Sequence, residues 1–224
     1  YNVAVMPGLK VLPSGLGAAL AGFVQSGGGL VVFLNDTVSV NRYNTEFRDW
    51  LPAELDRFET ASEFDWRLWE FNEQSPVFAL FRMPPSGNLG LARFTRRAAL
   101  QAADNSTVIA RFQDGVPLLI ERQVGQGRVV LVNTSADTAW TDWPKHKTYV
   151  PWLHGLLRRL ANRSHEEPVK LMTPLVAGSE LELETNLKSL PLKMLTPTGQ
   201  EIACASDAEG RVRNLALDVS GVYF

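Results

Sequence analysis

Apolar positions near the start of the chain follow a strand, helix and strand pattern. Residues 3–6 form a short apolar run, and apolar residues recur at helical spacing over residues 16–24. The three glycines at 27–29 then precede an apolar run over residues 30–34. Parallel strands are joined through a crossover helix, and a strand that is apolar on both faces lies inside a sheet. The pattern therefore predicts an α/β domain with a parallel sheet.

The pattern becomes clearest later in this domain, where three predicted strands follow one another through glycine-containing turns. A helix, a half-buried strand and a helical turn are predicted before them, and an amphipathic helix after them. In chain order, these elements are predicted at residues 45–51, 64–68, 76–81, 107–112, 116–124, 128–133 and 149–160. They complete an α/β domain that we place over residues 1–165.

The sequence pattern changes after Pro168 to short alternating stretches separated by turns. Strands are predicted at residues 169–172, 181–184, 192–195, 202–205, 215–217 and 222–224. Short strands at such regular spacing are typical of a β-sandwich, and the Gly221-x-Tyr223 ending resembles the penultimate strand of an immunoglobulin-like module. We therefore expect a second, smaller all-β, immunoglobulin-like domain over residues 168–224, truncated in this sequence.

Composition narrows the class of protein. The 22 basic side chains nearly balance the 24 acidic ones, so we expect no nucleic-acid partner. Cys204 is the only cysteine, which excludes an internal disulfide and a thiolate metal cluster. The histidines lack the spacing of a helical metal pair, and neither a metal nor a cofactor is expected. The basic group Arg93, Arg96 and Arg97 is interpreted as a solvated face.

Two glycine-led segments and a set of tryptophans resemble a known family. They are residues 27–33 and 125–135, with Trp140, Trp143-Pro144 and residues 150–154. Together they resemble the class I glutamine amidotransferase-like domain of bacterial membrane proteins of the aerotolerance-regulator (Bat) type, which is often found beside von Willebrand factor A domains. The resemblance implies a three-layer fold of the flavodoxin or amidotransferase kind, whose first strand lies before the first residue of this sequence.

The same resemblance implies a location and a set of partners. Such a domain would be extracytoplasmic, in the periplasm, and anchored to the bacterial inner membrane by a tether outside this sequence. Its partners would be another protein or other domains of the same full-length chain.

The catalytic residues of the family are missing from the matching positions. Amidotransferases place a cysteine on the turn after the glycine-led strand, and a histidine with a glutamate after the last core strand, because amide hydrolysis needs a thiolate and a base. Here the turn holds Leu34, Asn35 and Asp36, and the base position corresponds to residues 134–137. The resemblance therefore implies a domain without the amidotransferase activity.

Four polar residues form the candidate ligand-binding site: Asn35, Asp36, Ser135 and Asp137. They follow the predicted strands 30–34 and 128–133, and the carboxyl ends of neighbouring parallel strands form the ligand crevice of an open sheet. The structural alternative is an Asx turn at Asn35 and Asp36 and a helix cap at Asp137. Two aspartates without further acidic neighbours make a poor Mg²⁺ or Ca²⁺ site.

Three functional hypotheses follow. The first is a non-catalytic interaction or ligand-binding region. The second is a hydrolase or transferase that uses Asp36 or Asp137 with His146. The third is a carbohydrate-binding module, which requires two coplanar, solvent-facing tryptophans in one groove.

Overall fold

The computed structural model describes residues 1–11, 13–82, 87–161, 170–171, 180–184, 189–195, 198 and 200–216. The chain forms two compact units, Tyr1–Arg163 and Ser164–Phe224. The division lies just before the predicted boundary at residue 165.

The first unit contains eight strands and three α-helices among its described residues. They are β1 (Val3–Met6), α1 (Leu16–Gln25), β2 (Gly29–Phe33), α2 (Val40–Glu46), β3 (Ala53–Thr60), β4 (Leu68–Phe71), β5 (Arg96–Ala102), β6 (Ser106–Phe112), β7 (Pro117–Val124), β8 (Gly127–Val132) and α3 (Tyr149–Ala161). Six strands form one open sheet in the order β1-β2-β8-β7-β6-β4, and β3 pairs with β5 in a separate antiparallel sheet. The fold is therefore mixed α/β.

The centre of the large sheet is parallel. Strand β2 pairs in parallel with β1 on one side and with β8 on the other, and Leu30 lies opposite Val129. Each residue from Leu30 to Phe33 and from Val129 to Val132 is at most 1% exposed. The predicted pair of neighbouring, buried parallel strands is confirmed.

The two faces of the sheet carry separate apolar clusters. On β2, Val31 and Phe33 point to a face that is covered by apolar residues of α3, whereas Leu30 and Val32 point to the opposite face. That second face is covered by residues of α1, α2, β3 and β5. Because the side chains of a strand alternate between the faces, a strand that is apolar at every position is buried on both sides.

The glycines around β2 and β8 allow close backbone contact. A Cβ atom on Gly127 would lie 2.2 Å from the carbonyl oxygens of Val24 and Gly28, and one on Gly29 would lie 2.6 Å from Leu160 Cβ. Gly27, which follows the C-terminal cap Ser26 of α1, has a φ of 102°, which favours glycine. The glycine-rich turns are thus explained by packing of α1 and α3 against the sheet.

Two predictions within the first unit are wrong in detail. The strand predicted at 64–68 lies later, over Leu68–Phe71. The helix predicted at 45–51 lies earlier, over Val40–Glu46. Phe47, Trp50 and Leu51, which were predicted to face inward from that helix, follow it and are buried, and the Leu51 N–H donates to the Phe47 carbonyl. Strands β3 and β5 were not predicted. A bulge between Leu55 and Arg57 shifts the alternation of β3 by one residue and so hides its period of two.

A buried amide connects the small sheet to the large one. Asn133, which directly follows β8, is fully buried. Its Oδ1 accepts a hydrogen bond from the Ala98 N–H at 2.7 Å, and its Nδ2 donates to the carbonyls of Ala98 and Pro117, both at 2.9 Å. One side chain therefore joins the ends of β8, β5 and β7.

The interpretation of the basic group as a solvated face is wrong for Arg97. Its side chain is 5% exposed and donates to both carboxylate oxygens of Asp114, at 2.8 and 2.6 Å, with a longer contact to Glu59 at 3.3 Å. The guanidinium carbon lies 4.0 Å from the centre of the Trp66 ring. Since a buried charge needs a partner and hydrogen bonds, Arg97 is a structural residue that joins β5 to the turn between β6 and β7.

The second unit is antiparallel throughout its described strands. These are β9 (Lys170–Leu171), β10 (Glu180–Glu184), β11 (Pro191–Leu195), β12 (Glu201–Ala205) and β13 (Arg211–Ala216), arranged as β13-β10-β9 and β11-β12. Met194 and Val212 form a small core with half-buried Leu192, Ile202 and Cys204. The prediction of an antiparallel β unit is confirmed for this described part. The strand predicted at 222–224 lies outside it.

We predict that Asp114→Asn destabilises the first unit at neutral pH but not in acid. The Arg97 guanidinium lowers the pKa of Asp114 below its ordinary value of 3.8. The ionised carboxylate therefore contributes stability above about pH 4, and this contribution is lost as the pH falls through the lowered pKa. We expect a loss of about 1 kcal/mol at pH 7, because the 40% exposed carboxylate is partly screened by solvent.

Urea denaturation at a series of pH values measures this effect. Tryptophan fluorescence follows the first unit alone, since all six tryptophans lie within it. Asp104→Asn, at an exposed turn, is the control and should change little. A difference between wild type and Asp114→Asn that stays constant down to pH 2 would contradict the assignment.

Candidate functional site

The four candidate residues lie on two turns at the carboxyl ends of β2 and β8, two neighbouring strands inside the large sheet. The Leu34 N–H donates to the Thr134 carbonyl at 3.0 Å, which extends the pairing of β2 and β8 by one residue. Asn35 and Asp36 follow on one turn, and Ser135 and Asp137 on the other. Among the described residues, no hydrogen bond or ion pair joins a side chain of the first pair to one of the second.

Both polar atoms of the Asn35 side-chain amide form hydrogen bonds within the protein. Its Nδ2 donates to the carbonyls of Pro7 and Gly8, both at 3.0 Å, and its Oδ1 accepts from the Thr37 N–H at 2.9 Å and the Thr37 hydroxyl at 2.7 Å. The second pair of bonds is an Asx turn, the structural alternative for this residue. Asn35 therefore holds the loop after β1 against the turn after β2.

Asp36 forms an ion pair with Arg96, the first residue of β5. The carboxylate is 50% exposed and the arginine side chain 34% exposed. The same guanidinium lies 5.5 Å from the centre of the Trp140 ring. Asp36 thus faces solvent at the rim of the sheet, with a cation as its partner.

Ser135 and Asp137 belong to a compact turn. The buried Ser135 hydroxyl donates to the Asp137 carbonyl and accepts from the Trp140 N–H, both at 3.1 Å. The exposed carboxylate of Asp137 accepts from the Ala139 N–H at 3.0 Å. These contacts use the serine hydroxyl as donor and as acceptor, so it has no proton free for attack on a substrate.

Two further hydroxyl-bearing residues at this turn, Tyr149 from α3 and Thr134, are buried. The Tyr149 hydroxyl donates to the Ala136 carbonyl at 2.8 Å, and burial, followed by the negative charge of Asp137, raises the pKa of Tyr149. The Thr134 hydroxyl is buried and has no hydrogen-bond partner. Because this oxygen is hardly accessible, it cannot contact a ligand in the structure described.

The backbone of the turn after β2 is unstrained. A nucleophile elbow holds its reactive residue in a strained conformation above the sheet. Among the described non-glycine residues, only Ser189, in the second unit, has a positive φ. Leu34, Asn35 and Asp36 therefore form an ordinary turn.

His146 lies in a different cluster from the candidate residues. Its Nε2 is 3.1 Å from Asp142 Oδ1, and Asp142 also accepts from the Arg93 N–H at 2.7 Å and from Arg93 Nε at 2.8 Å. Burial opposes the ionisation of Asp142, but its hydrogen bonds to Arg93 and the nearby His146 outweigh burial and lower its pKa. The hydrolase hypothesis required His146 beside Asp36 or Asp137, whereas the structure pairs it with Asp142.

The remaining histidines and acidic residues do not build a metal centre in the described part of the chain. There, no group of three or more His, Cys, Asp or Glu residues is placed to hold a metal ion. His154 is exposed on α3, and His165 lies outside the described residues.

Most tryptophans are structural. Trp50, Trp140, Trp143 and Trp152 are at most 2% exposed, and Trp66 is half-buried under Arg97. Only Trp69, on β4, is exposed, at 75%. The two coplanar, solvent-facing rings of the carbohydrate hypothesis are therefore not found among the described residues. Trp69 does border a groove that the sequence pattern gave no means of predicting.

Comparison with known proteins shows similarity of fold. No protein-family model and no curated protein matches the chain. The solved structure of Cytoplasmic Protein STM1381 from Salmonella typhimurium LT2 is similar at a TM-score of 0.59 and 17% identity, over 71% of this chain and 72% of that one. Cytoplasmic Protein STM3548 from Salmonella typhimurium is similar at a TM-score of 0.59 and 18% identity, with the same coverage.

A β-galactosidase from Bacillus circulans sp. alkalophilus is similar over 95% of this chain, at a TM-score of 0.51 and 15% identity. The match covers 32% of the galactosidase, so the chain spans about a third of its length. At such identities the likeness concerns the fold alone. None of these names refers to an amidotransferase or an aerotolerance protein, and that family assignment stays a hypothesis.

The predicted periplasmic, membrane-anchored location is wrong. Two structurally similar proteins are named as cytoplasmic. The prediction depended on the family resemblance alone, and the residues that carry it are glycines at close backbone contacts and buried tryptophans. Such residues serve packing, which is the same in either compartment. Separately, no helix among the described residues is long and apolar enough to cross a membrane.

We predict that Asn35 contributes to stability and that Asp36 does not. Asn35→Ala removes the partners of two carbonyls and one N–H, and should lower the free energy of unfolding by about 1–3 kcal/mol. Asp36→Ala, which removes an exposed ion pair, should change it by less than about 1 kcal/mol. Urea denaturation followed by tryptophan fluorescence measures both. Equal losses in the two variants would show that Asn35 has no special structural role.

Proposed function

We propose that the chain is a non-catalytic, amidotransferase-like interaction region, which binds another protein or other domains of its own full-length chain. One observation supports this proposal most strongly. Asn35 and Ser135 are the two less exposed candidate residues at the ends of β2 and β8, and their polar side-chain atoms form hydrogen bonds within the protein. A catalytic crevice needs the opposite, with polar groups that point at a substrate.

The finer fold assignment is part of this proposal. Helices and the β3–β5 sheet cover the two faces of the large sheet, which supports a three-layer arrangement of the amidotransferase kind. Antiparallel pairing in the second unit supports an immunoglobulin-like module. An amidotransferase-like sheet without its cysteine, histidine and glutamate would keep the scaffold while losing the reaction.

The contacts of the candidate acids argue against the hydrolase hypothesis. General acid–base catalysis needs the base within hydrogen-bond reach of the nucleophile or of its water. The partner of Asp36 is Arg96, and the partner of His146 is Asp142. Asp137 and Ser135 bond to their own turn. These pairings leave no nucleophile and base in contact among the three groups of that hypothesis.

We predict that the purified chain does not hydrolyse glutamine or generic ester and amide substrates above background. Wild type is compared with Asp36→Ala/Asp137→Ala and with His146→Ala, because these changes remove the acids and the base of the hydrolase hypothesis. All three proteins should give the same rate. Turnover by wild type that either variant abolishes would overturn the non-catalytic role.

A further inference from the structure

A groove lies beside β4, at the edge of the large sheet and away from the turns after β2 and β8. Its volume is about 510 Å³, within the range of small-molecule sites. Leu68 and Leu89, both buried, line it together with half-buried Phe71 and Phe81. Its exposed lining includes Arg67, Trp69 and Asn88.

The aromatic side of the groove is available to a ligand. The Trp69 side chain is exposed although tryptophan is usually buried, as four others in this chain are. The neighbouring Phe71 ring is held against buried Phe78, with ring centres 4.6 Å apart. The groove thus combines a fixed aromatic side chain with an exposed indole.

Two polar side chains of the groove are already oriented. Arg67 Nη1 donates to the carbonyls of Gly90 and Leu91, at 3.2 and 2.9 Å, and Asn88 Oδ1 accepts from the Gly90 N–H at 2.8 Å. The other guanidinium nitrogens of Arg67 and the Nδ2 of Asn88 have no hydrogen-bond partner among the described residues. They are pre-positioned donors, and preorganisation lowers the entropy lost on binding.

We propose that this groove binds a carbohydrate on one exposed ring, without the second coplanar tryptophan of the earlier hypothesis. A pyranose ring would stack on Trp69, and its hydroxyls would bond to Arg67 and Asn88. A pyranose has an apolar C–H face and a rim of hydroxyl acceptors, which match an indole beside N–H donors. The site lies apart from the β2 and β8 turns, and it goes beyond the proposed interaction role without depending on it.

The openness of the groove favours a sugar over an apolar ligand. An apolar ligand gains affinity through enclosure, because binding scales with the apolar area removed from water. An indole that is 75% exposed offers one flat face and leaves the other side of the ligand in solvent. A sugar loses little by this, since its outer hydroxyls stay hydrated. Among the described residues that line the groove, Arg67 is the only charged one, and its positive charge also suits acidic sugars.

The test is calorimetric titration of the whole chain with a panel of disaccharides: lactose, cellobiose, maltose, chitobiose and an unsaturated uronic-acid disaccharide. We expect saturable binding of at least one. Trp69→Ala should weaken it about tenfold, which corresponds to about 1.4 kcal/mol. Because Trp69 is exposed, this variant should keep the wild-type thermal transition. If the chain prefers the uronic-acid disaccharide and Arg67→Met loses this preference, the contact with the sugar carboxylate is assigned to Arg67.

Phe64→Ala is the matched control, because Phe64 is an aromatic residue with 83% exposure that does not line the groove. The affinity of this variant for the disaccharide should stay within twofold of the wild-type value. Absence of binding to every disaccharide, or binding that Trp69→Ala leaves unchanged, would overturn the carbohydrate site. Saturable binding of an aromatic peptide in place of the sugars would overturn it as well. None of these results bears on the turnover assay, so the two proposals fail separately.

Discussion

The side-chain amide of Asn133 is the contact on which the arrangement of the first unit depends. It imitates a backbone peptide group, with one acceptor and two donor bonds to Ala98 and Pro117 inside the protein. Each buried backbone group left without a partner costs about 1–3 kcal/mol. The amide therefore fixes where β5 begins to cover the large sheet, and with β5 the positions of Arg96 and Arg97.

Hydrogen bonds from polar side chains to the backbone also limit ligand binding at the ends of β2 and β8. Asn35 bonds the loop after β1 to the turn after β2, and Ser135 bonds the turn after β8 to Trp140. A ligand that recruited either side chain would have to replace bonds already made, each with a net contribution of about 0.5–1.5 kcal/mol. The groove at β4 differs, because Arg67 and Asn88 keep donors that have no partner among the described residues. We therefore place the proposed ligand site on the edge strand β4 and not at the ends of the central strands.

Much of the α/β framework could be predicted from the sequence, because continuous apolar strands and glycine turns have local signatures. Leu30 to Phe33 and Val129 to Val132 are buried on both faces, and their sequence is correspondingly apolar at every position. The candidate residues lie on the turns after these strands, because the position of a turn follows from the strand that precedes it. Local sequence does not show whether their side chains are free for a ligand or bonded within the protein. That depends on partners far away along the chain, such as the Pro7 carbonyl for Asn35.

The features that could not be predicted depend on distant contacts or on a shift in period. The bulge in β3 hides its alternation, and the burial of Arg97 requires Asp114 and Trp66 to converge on it. In the sequence alone, nothing distinguishes Asn133 from any other polar residue that follows a strand. Exposure of Trp69 is likewise set by its place on an edge strand, and no local pattern distinguishes it from the buried tryptophans.

Amide hydrogen exchange of the ligand-free chain tests the central claim, that structural hydrogen bonds close the ends of β2 and β8. The informative amides are those of Thr37, Ala98 and Trp140, which donate to the side chains of Asn35, Asn133 and Ser135. Ala98 and Trp140 should exchange as slowly as the amides of β8, and Thr37 more slowly than the exposed turn residue Asn105. Exchange of all three at the rate of an unprotected amide would show an open crevice and contradict the account.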